Sequence, residues 1–243
     1  MNSIILFAAG SLRLAFTPLL AAFELESGYR VEATFGPAGM LRERIEQGGR
    51  PQVFASANLE HPQRLVASGI AQVVQPFTRN RLCATVRNIT ALTQPDLLSL
   101  LCDPQWRVGT STPVADPSGD YAQQLFERLE QLLPGQGSAL RSRAVALVGG
   151  PDSKAIPADR LAAEYLIAEG QADIFLGYAS YADALANCPQ VKVRMLPAAL
   201  DFKVTYGLCL LDEGGAAAQQ LVAFIQSDQG QSILQRMGML ALD

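Results

Sequence analysis

The feature that most constrains this chain is an alternation running through nearly all of its length. Short runs of β-branched and apolar residues give way to amphipathic stretches with helical spacing, and then return. Strands alternating with helices form βαβ units, in which helices cover the faces of a sheet. The class is therefore α/β. Residues 4–7 read as the first strand, and after them Leu12, Ala15, Phe16, Leu19, Leu20 and Phe23 fall on one helical face. Gly28 stands where that helix should end. Further strands are predicted at 31–35, 53–55, 82–86, 108–109, 174–177, 191–195 and 205–211, and helices at 40–47, up to about 68, 97–101, 121–133 and 161–168. Within 121–133, Tyr121, Leu125, Leu129 and Leu132 share a face. Amphipathic helices, carrying Leu221, Phe224, Ile225, Ile233, Leu234 and Met237, close the chain. The stretches 134–138 and 149–152 read as loops.

Composition narrows the function classes. Hydrophobic residues make up 49% and charged residues 17%, which suits a buried core and excludes a disordered chain. The formal net charge is −4 and no Lys/Arg cluster occurs, so a nucleic-acid surface is not expected. No apolar run reaches the roughly 18 residues of a membrane span. The opening Met1-Asn2-Ser3-Ile4-Ile5-Leu6-Phe7 lacks a basic region and a small-residue cleavage site, and reads as the first strand of a mature domain whose leader has been removed. Cys83, Cys102, Cys188 and Cys209 are scattered, with no CxxC pair and no nearby histidine. They read as small buried hydrophobes and not as a zinc site or a disulfide.

Chemistry gathers where strands end. Four predicted strands run into short stretches of small or hydroxyl residues that open helices: Ala8-Ala9-Gly10-Ser11, Gly36-Pro37-Ala38-Gly39, Ser56-Ala57-Asn58 and Pro117-Ser118-Gly119. In open α/β sheets, ligands bind beyond the carboxyl ends of the strands. Helix N-termini there offer unpaired N–H groups and the positive end of the dipole. Any one segment reads first as ordinary capping and turn chemistry. The four together point to a shared anion crevice.

Enzyme chemistry finds little support in the same residues. His61, the one histidine, sits in Glu60-His61-Pro62 early in a helix and is expected at the surface. No GxSxG elbow, GxxxxGK[ST] loop or GxGxxG turn occurs. Asp152 with Asp159, or Asp173 with Asp183, read as solvated loop acids and not as catalytic pairs.

Several stretches resemble the periplasmic molybdate- and tungstate-binding proteins of ABC importers. They are Phe7-Ala8-Ala9-Gly10-Ser11-Leu12, Thr34-Phe35-Gly36, Arg44-Ile45-Glu46-Gln47-Gly48, Val53-Phe54-Ala55-Ser56-Ala57-Asn58, Asp116-Pro117-Ser118-Gly119-Asp120-Tyr121-Ala122, Gly177-Tyr178-Ala179-Ser180, Gln229-Gly230-Gln231 and Met237-Gly238. They follow the family order over essentially the whole chain. The resemblance implies a two-lobed, type II periplasmic binding fold. Each lobe is a mixed, mostly parallel sheet flanked by helices, with the ligand in the cleft. Residues 1–80 with 202–243 would form one lobe and 81–201 the other, with hinges near 79–82 and 199–205. It implies a monomeric receptor that takes up a small oxyanion, performs no catalysis, needs no cofactor or resident metal, and delivers its ligand to a membrane permease from the periplasm.

Carried over by position, Ser11 and Tyr178 match the family's ligand donors, and Ser56-Ala57 and Ser118-Gly119 its backbone-donor segments. Gly10, Ala38, Gly39 and Asn58 complete the expected contacts of those turns. The chain also departs from the pattern. Pro37-Ala38-Gly39 replaces a usual serine, Gln52 and Thr112 stand where aspartate is usual, and 149–160 replaces the usual approach to a contacting helix. A gap-free count back from Tyr178 puts Arg160 at a contact position. Two readings of Arg160 stay open. With Lys154 it signals a different anion, such as an organic carboxylate, through charge-assisted bonding; or it is a solvated first-turn residue. A ligand-sensing regulatory domain of the same fold is the alternative to a transport receptor.

Overall fold

The computed structural model describes residues 3–157, 159–211 and 215–242. Met1 and Asn2 of the chain's opening, and Ala158 of the 149–160 stretch, lie outside the described residues. In chain order the elements are β1 (Ser3–Ala9), α1 (Arg13–Ser27), β2 (Arg30–Gly36), α2 (Ala38–Glu46), β3 (Val53–Ser56), α3 (Glu60–Ala67), β4 (Gln75–Arg87), α4 (Thr90–Thr93), α5 (Leu97–Cys102) and β5 (Val108–Ser111). There follow α6 (Pro117–Leu132), α7 (Gln136–Arg143), β6 (Val145–Val148), α8 (Ala162–Ala168), β7 (Ile174–Tyr178), α9 (Ala182–Ala186), β8 (Val191–Met195), β9 (Lys203–Leu210), α10 (Ala216–Gln226) and α11 (Asp228–Arg236). The chain divides into two compact units, Met1–Asn80 with Val204–Asp243, and Arg81–Lys203.

The first unit is built on the strand order β2-β1-β3-β9. β1 runs parallel to both β2 and β3, and β9 runs antiparallel to β3. The predicted apolar stripe of α1 is its buried face: Ala15, Phe16, Leu19, Leu20 and Phe23 are all buried. Phe16 and Phe23 meet Phe77 and Phe224 with ring centroids 6.0 and 5.6 Å apart, so α1 packs on the start of β4 and on α10. Gln52, one of the departures from the family pattern, holds the sheet, its Oε1 accepting the Ile5 N–H at 2.6 Å.

The second unit has the order β8-β4-β7-β5-β6. β4 is antiparallel to β7 and β8, whereas β5 is parallel to β6 and β7. Both sheets are therefore mixed, as expected. Ala163, Leu166, Ile167, Ala172, Phe175 and Leu185 form part of this unit's core. Arg87 and Arg107 converge on Asp173, which is 5% exposed. The Asp173 carboxylate accepts the Arg107 main-chain N–H at 3.0 Å and its Nε at 2.9 Å, tying the starts of β5 and β7 together. The sequence reading had placed Asp173 among solvated loop acids, and the structure overturns this. Asp152, Asp159 and Asp183 are exposed.

Other expectations need correction. β4 begins at Gln75, well before residue 82, because buried Thr78 and Asn80 hide its alternation behind polar side chains. The Thr78 hydroxyl donates to the Leu240 carbonyl at 2.9 Å, so its burial is satisfied. The supposed loop 134–138 contains the start of α7, whose first amides are capped from α6: Glu130 accepts the Gly135 and Ser138 N–H groups, each at 2.8 Å. Leu132 leaves its expected face and is 42% exposed. The cysteines are free, and burial pushes the thiols of Cys83 and Cys209 up to about 12, which keeps them protonated and inert.

His61 is not at the surface. It is 3% exposed, within the buried face of α3 beside Pro62 and Leu65. Burial first, and then the Arg42 charge, lower its pKa to about 4, with Arg64 adding to the effect and Glu60 opposing it. The imidazole is therefore neutral at pH 7. Because the unfolded chain binds a proton near pH 6.5 and the folded one only near 4, stability is complete above 6.5 and is lost as pH falls between the two. The loss amounts to at most about 3 kcal/mol. Urea unfolding at pH 7.5 and 4.5 should show a larger drop for the wild type than for His61→Leu, and equal drops would contradict the assignment.

Candidate functional site

In the first unit, β1 lies between two parallel neighbours, so the carboxyl ends of β1, β2 and β3 share one edge. Ala9 is paired with Gly36, and Ala8 with Ala55. The turns leaving that edge carry Gly10 and Ser11, Ala38 and Gly39, and Ser56, Ala57 and Asn58. All seven first-unit residues predicted for the site are thus brought to one edge. Such an edge is where ligands of open α/β sheets gather.

Each turn contributes differently. Gly10–Leu12 is a single 3-10 turn continuing into α1. The Tyr206 hydroxyl donates to Ser11 Oγ at 2.9 Å, and Asn80 Nδ2 donates to the Tyr206 oxygen at 3.3 Å. With its oxygen accepting from Tyr206, the hydrogen of the Ser11 hydroxyl is directed onward as the end of a relay that polarises each bond in turn. Asn80 and Tyr206 are both fully buried, so this donor is held rigidly.

α2 begins directly at Ala38, two residues earlier than its periodicity suggests, with Pro37 as N-cap and no side chain capping it. The amides of its first turn have no intrahelical acceptor by geometry, and they sit at the positive end of the helix. The loss of the family's serine at this turn therefore removes a hydroxyl and leaves main-chain donors. Ser56 and Asn58 behave as ordinary turn residues. The Ser56 hydroxyl donates to Asn58 Oδ1 at 2.8 Å, and that oxygen also accepts the His61 N–H at 3.1 Å, opening α3. Their side chains serve the turn, and Ala57, 1% exposed, brings its backbone to the edge.

In the second unit, the parallel strands β6, β5 and β7 likewise end along one edge. Ser118 and Gly119 lie in the first turn of α6, with Pro117 at its start and Asp116 as N-cap. Ser118 N–H donates to Asp116 Oδ1 at 3.1 Å, and Gly119 N–H to the Asp116 carbonyl at 2.8 Å. Gly119 is fitted against the preceding loop: a β-carbon there would lie 2.5 Å from Pro113 N and Thr112 C, and 2.7 Å from Ser111 O. Tyr178 ends β7, is 5% exposed, and meets the Tyr121 ring edge-on at 6.5 Å.

Arg160 precedes α8 and is half-buried. Its guanidinium forks onto Glu164, with Nε 2.6 Å from Oε2 and the second nitrogen on Oε1, and it lies over the Tyr165 ring at 5.4 Å. Glu164 is 6% exposed. The arginine's charge is matched by a carboxylate of α8, and the hydrogen bonds it donates to Glu164 raise its pKa further. Lys154 approaches the same ring, at 6.0 Å.

Sequence reasoning missed Asn80, Tyr206, Asp116 and Glu164. Only Asp116 carried a signal, since an aspartate before a proline marks a helix start. Among the described residues there is no cluster of histidine, cysteine and acidic side chains able to hold a metal, and no helix long and apolar enough to cross a membrane.

The periplasmic molybdate-binding protein of Azotobacter vinelandii superposes with a TM-score of 0.79 at 19% identity, covering 99% of this chain and 100% of that one, which shows the type II periplasmic binding fold. Residues 4–240 match the model of the bacterial extracellular solute-binding proteins, and the chain belongs to that family. It is 42% identical to the uncharacterized protein PM1146 of Pasteurella multocida over 84% of this chain and 85% of the relative. It is 26% identical to the molybdate-binding protein ModA of Mycobacterium tuberculosis over 98% of this chain and 84% of the relative.

Proposed function

We propose that this solute-binding protein captures a small tetrahedral oxyanion, molybdate or tungstate first, in the periplasm and delivers it as a monomer to the membrane permease of an ABC importer. The observation that carries the reading is the first unit's edge, which the uncapped start of α2 shares with the turn bearing Ser11, whose hydroxyl ends the Asn80–Tyr206 relay. Neutral donors of this kind suit a compact anion: each bond to a charged oxygen is stronger than its neutral counterpart, and no cation is needed. Within the proposal, Gly10, Ser11, Ala38, Gly39 and Ala57 supply donors at the first unit's edge, while Ser118, Gly119 and Tyr178 belong to the second unit's own strand edge. Arg160, bound to Glu164, is left outside the donor set. The similarity to molybdate-binding proteins orders the candidate ligands.

A second reading follows from Ala38, which replaces a hydroxyl donor and so suits an anion with fewer acceptor oxygens, such as a small organic carboxylate. Calorimetric titration with molybdate, tungstate, sulfate, phosphate and succinate separates the two. The proposal predicts heat with molybdate and tungstate, and at least a tenfold weaker Kd for Ser11→Ala, as expected for a hydrogen bond to a charged group of about 1.5 kcal/mol or more. Heat with succinate alone would replace the oxyanion by an organic anion, and heat with none of the five would overturn the reading.

A further inference from the structure

We propose that Met239 and Asn80 are positioning residues of the first unit: together they fix the direction in which the chain of hydrogen bonds to Ser11 runs, and so make the Ser11 hydroxyl a donor only. That role rests on the reading of this edge as an anion site, which it deepens by naming the protonation class of ligand the site selects. Its origin is a thioether buried against an amide.

Met239 is 2% exposed, and Asn80 and Tyr206 are fully buried, all within the first unit. Asn80 Nδ2 lies 3.7 Å from the Met239 sulfur and 3.3 Å from the Tyr206 hydroxyl oxygen. A side-chain amide carries its hydrogens on nitrogen, and a thioether can only accept. Turning the Asn80 carbonyl toward the sulfur would set two acceptors against each other in a dry interior, so the amide keeps its nitrogen there. One amide hydrogen goes to the sulfur and the other to Tyr206. The Tyr206 oxygen therefore accepts, and its own hydrogen goes to Ser11 Oγ at 2.9 Å. The single hydrogen of the Ser11 hydroxyl then points away from Tyr206.

The main chain holds the sulfur in place. After α11 the chain turns back, the Met239 N–H donating to the Leu234 carbonyl at 3.1 Å. Leu240 and Arg79 form an antiparallel bridge, exchanging main-chain bonds of 2.8 Å each, and the Thr78 hydroxyl donates to the same Leu240 carbonyl at 2.9 Å. In an antiparallel pair the residue after Arg79 lies opposite the residue before Leu240, so the bridge itself brings Asn80 to Met239. The Tyr206 ring is braced edge-on by Phe77, with centroids 6.4 Å apart. Leucine would fill the space of Met239 and accept nothing, so one substitution separates the packing of this residue from its polarity.

The consequence is chemical. A hydroxyl whose oxygen already accepts from Tyr206 offers a ligand its hydrogen, polarised by the bonds behind it. A ligand oxygen without a hydrogen, such as each oxygen of molybdate, takes that bond. The oxygen that carries the hydrogen of hydrogen phosphate would have to turn away from Ser11. The relay thus favours fully ionised oxyanions over hydrogen-bearing ones, and the preference is set in the core, three hydrogen bonds back from the ligand, at Met239.

The test compares wild type with Met239→Leu, which keeps the volume and removes the acceptor, and with Tyr206→Phe, which removes the link to Ser11. Calorimetric titrations with molybdate and with hydrogen phosphate should show each variant losing at least about threefold of the wild-type preference for molybdate, because the Ser11 hydroxyl can then turn and accept. Loss of packing alone weakens both anions by the same factor, and an unchanged preference in both variants would overturn the proposal. A second measurement needs no anion. In isotope-labelled protein, the side-chain amide resonances that vanish in Asn80→Asp should move in Met239→Leu, since one of those hydrogens loses its acceptor. Unmoved resonances defeat the inference by themselves, whereas moved resonances in a protein that binds neither anion overturn only the assignment of the ligand.

Discussion

Replacing Gly119 with alanine is expected to cost the second unit about 3 kcal/mol, the upper end for forcing extra volume into a packed site. The reason is what surrounds it. The added methyl would stand 2.5 Å from Pro113 N and from Thr112 C, and 2.7 Å from Ser111 O, and all three neighbours are backbone atoms that cannot swing away as a side-chain tip does. The loop 112–116 is held besides by the Thr112 N–H on the Val148 carbonyl and the Val114 N–H on Asp120. Val114 already occupies a left-handed conformation, φ 70°, uncommon for a β-branched residue, so the loop has little freedom left. Relief is possible only by tilting the start of α6, which would displace Ser118 and its cap. Urea unfolding should report the loss as a lowered midpoint, and anion affinity should fall with it. A midpoint unchanged within about 1 kcal/mol of stability would show that the loop yields easily.

The second large effect lies away from the proposed site. Asp173→Ala removes the acceptor for the Arg107 main-chain N–H and guanidinium and for Arg87. Breaking a buried pair on one side costs about 3–5 kcal/mol, and the partial exposure of both arginines argues for the lower figure. Burial works against ionisation of Asp173, yet the hydrogen bonds from Arg107, with the charges of Arg87 and Arg107, hold its carboxyl below the usual range. The sign follows directly. A lowered folded-state pKa gives stability that is complete above the unfolded value of about 3.9 and is lost as pH falls through the lowered one. Wild type and variant should therefore differ at pH 7 and converge in acid. Asp173→Asn, which keeps an acceptor for the main-chain N–H, should fall between them.

The alternation of strands and helices was legible because each strand is short and each helix has one apolar face. The buried stripe of α1 matches its sequence period residue for residue. Legibility failed where a polar residue is buried and satisfied from far along the chain. Thr78, bonded to the Leu240 carbonyl, and Asn80, beside Tyr206, both break the period of β4. His61 failed for a different reason: a single imidazole carries no periodic signal, and its burial follows from the packing of α3.

The site was legible at the level of turns. Small residues after strands brought Gly10, Ala38, Gly39 and Ala57 to one edge of the first unit, as the parallel order of its strands requires. What each side chain does there was not legible, because hydrogen-bond partners are set by tertiary placement. Ser56 and Asn58 turn inward to each other, Ser11 is oriented by a tyrosine nearly two hundred residues away, and Arg160 is taken by Glu164.

The central claim, that main-chain amides along one strand edge hold a small anion, is open to direct observation by following backbone amide resonances of the labelled protein during addition of molybdate. Downfield movement of Gly10, Ser11, Ala38, Gly39 and Ala57, saturating at one equivalent, is the predicted outcome. Movement confined to other amides, or none at an excess of anion, would contradict it.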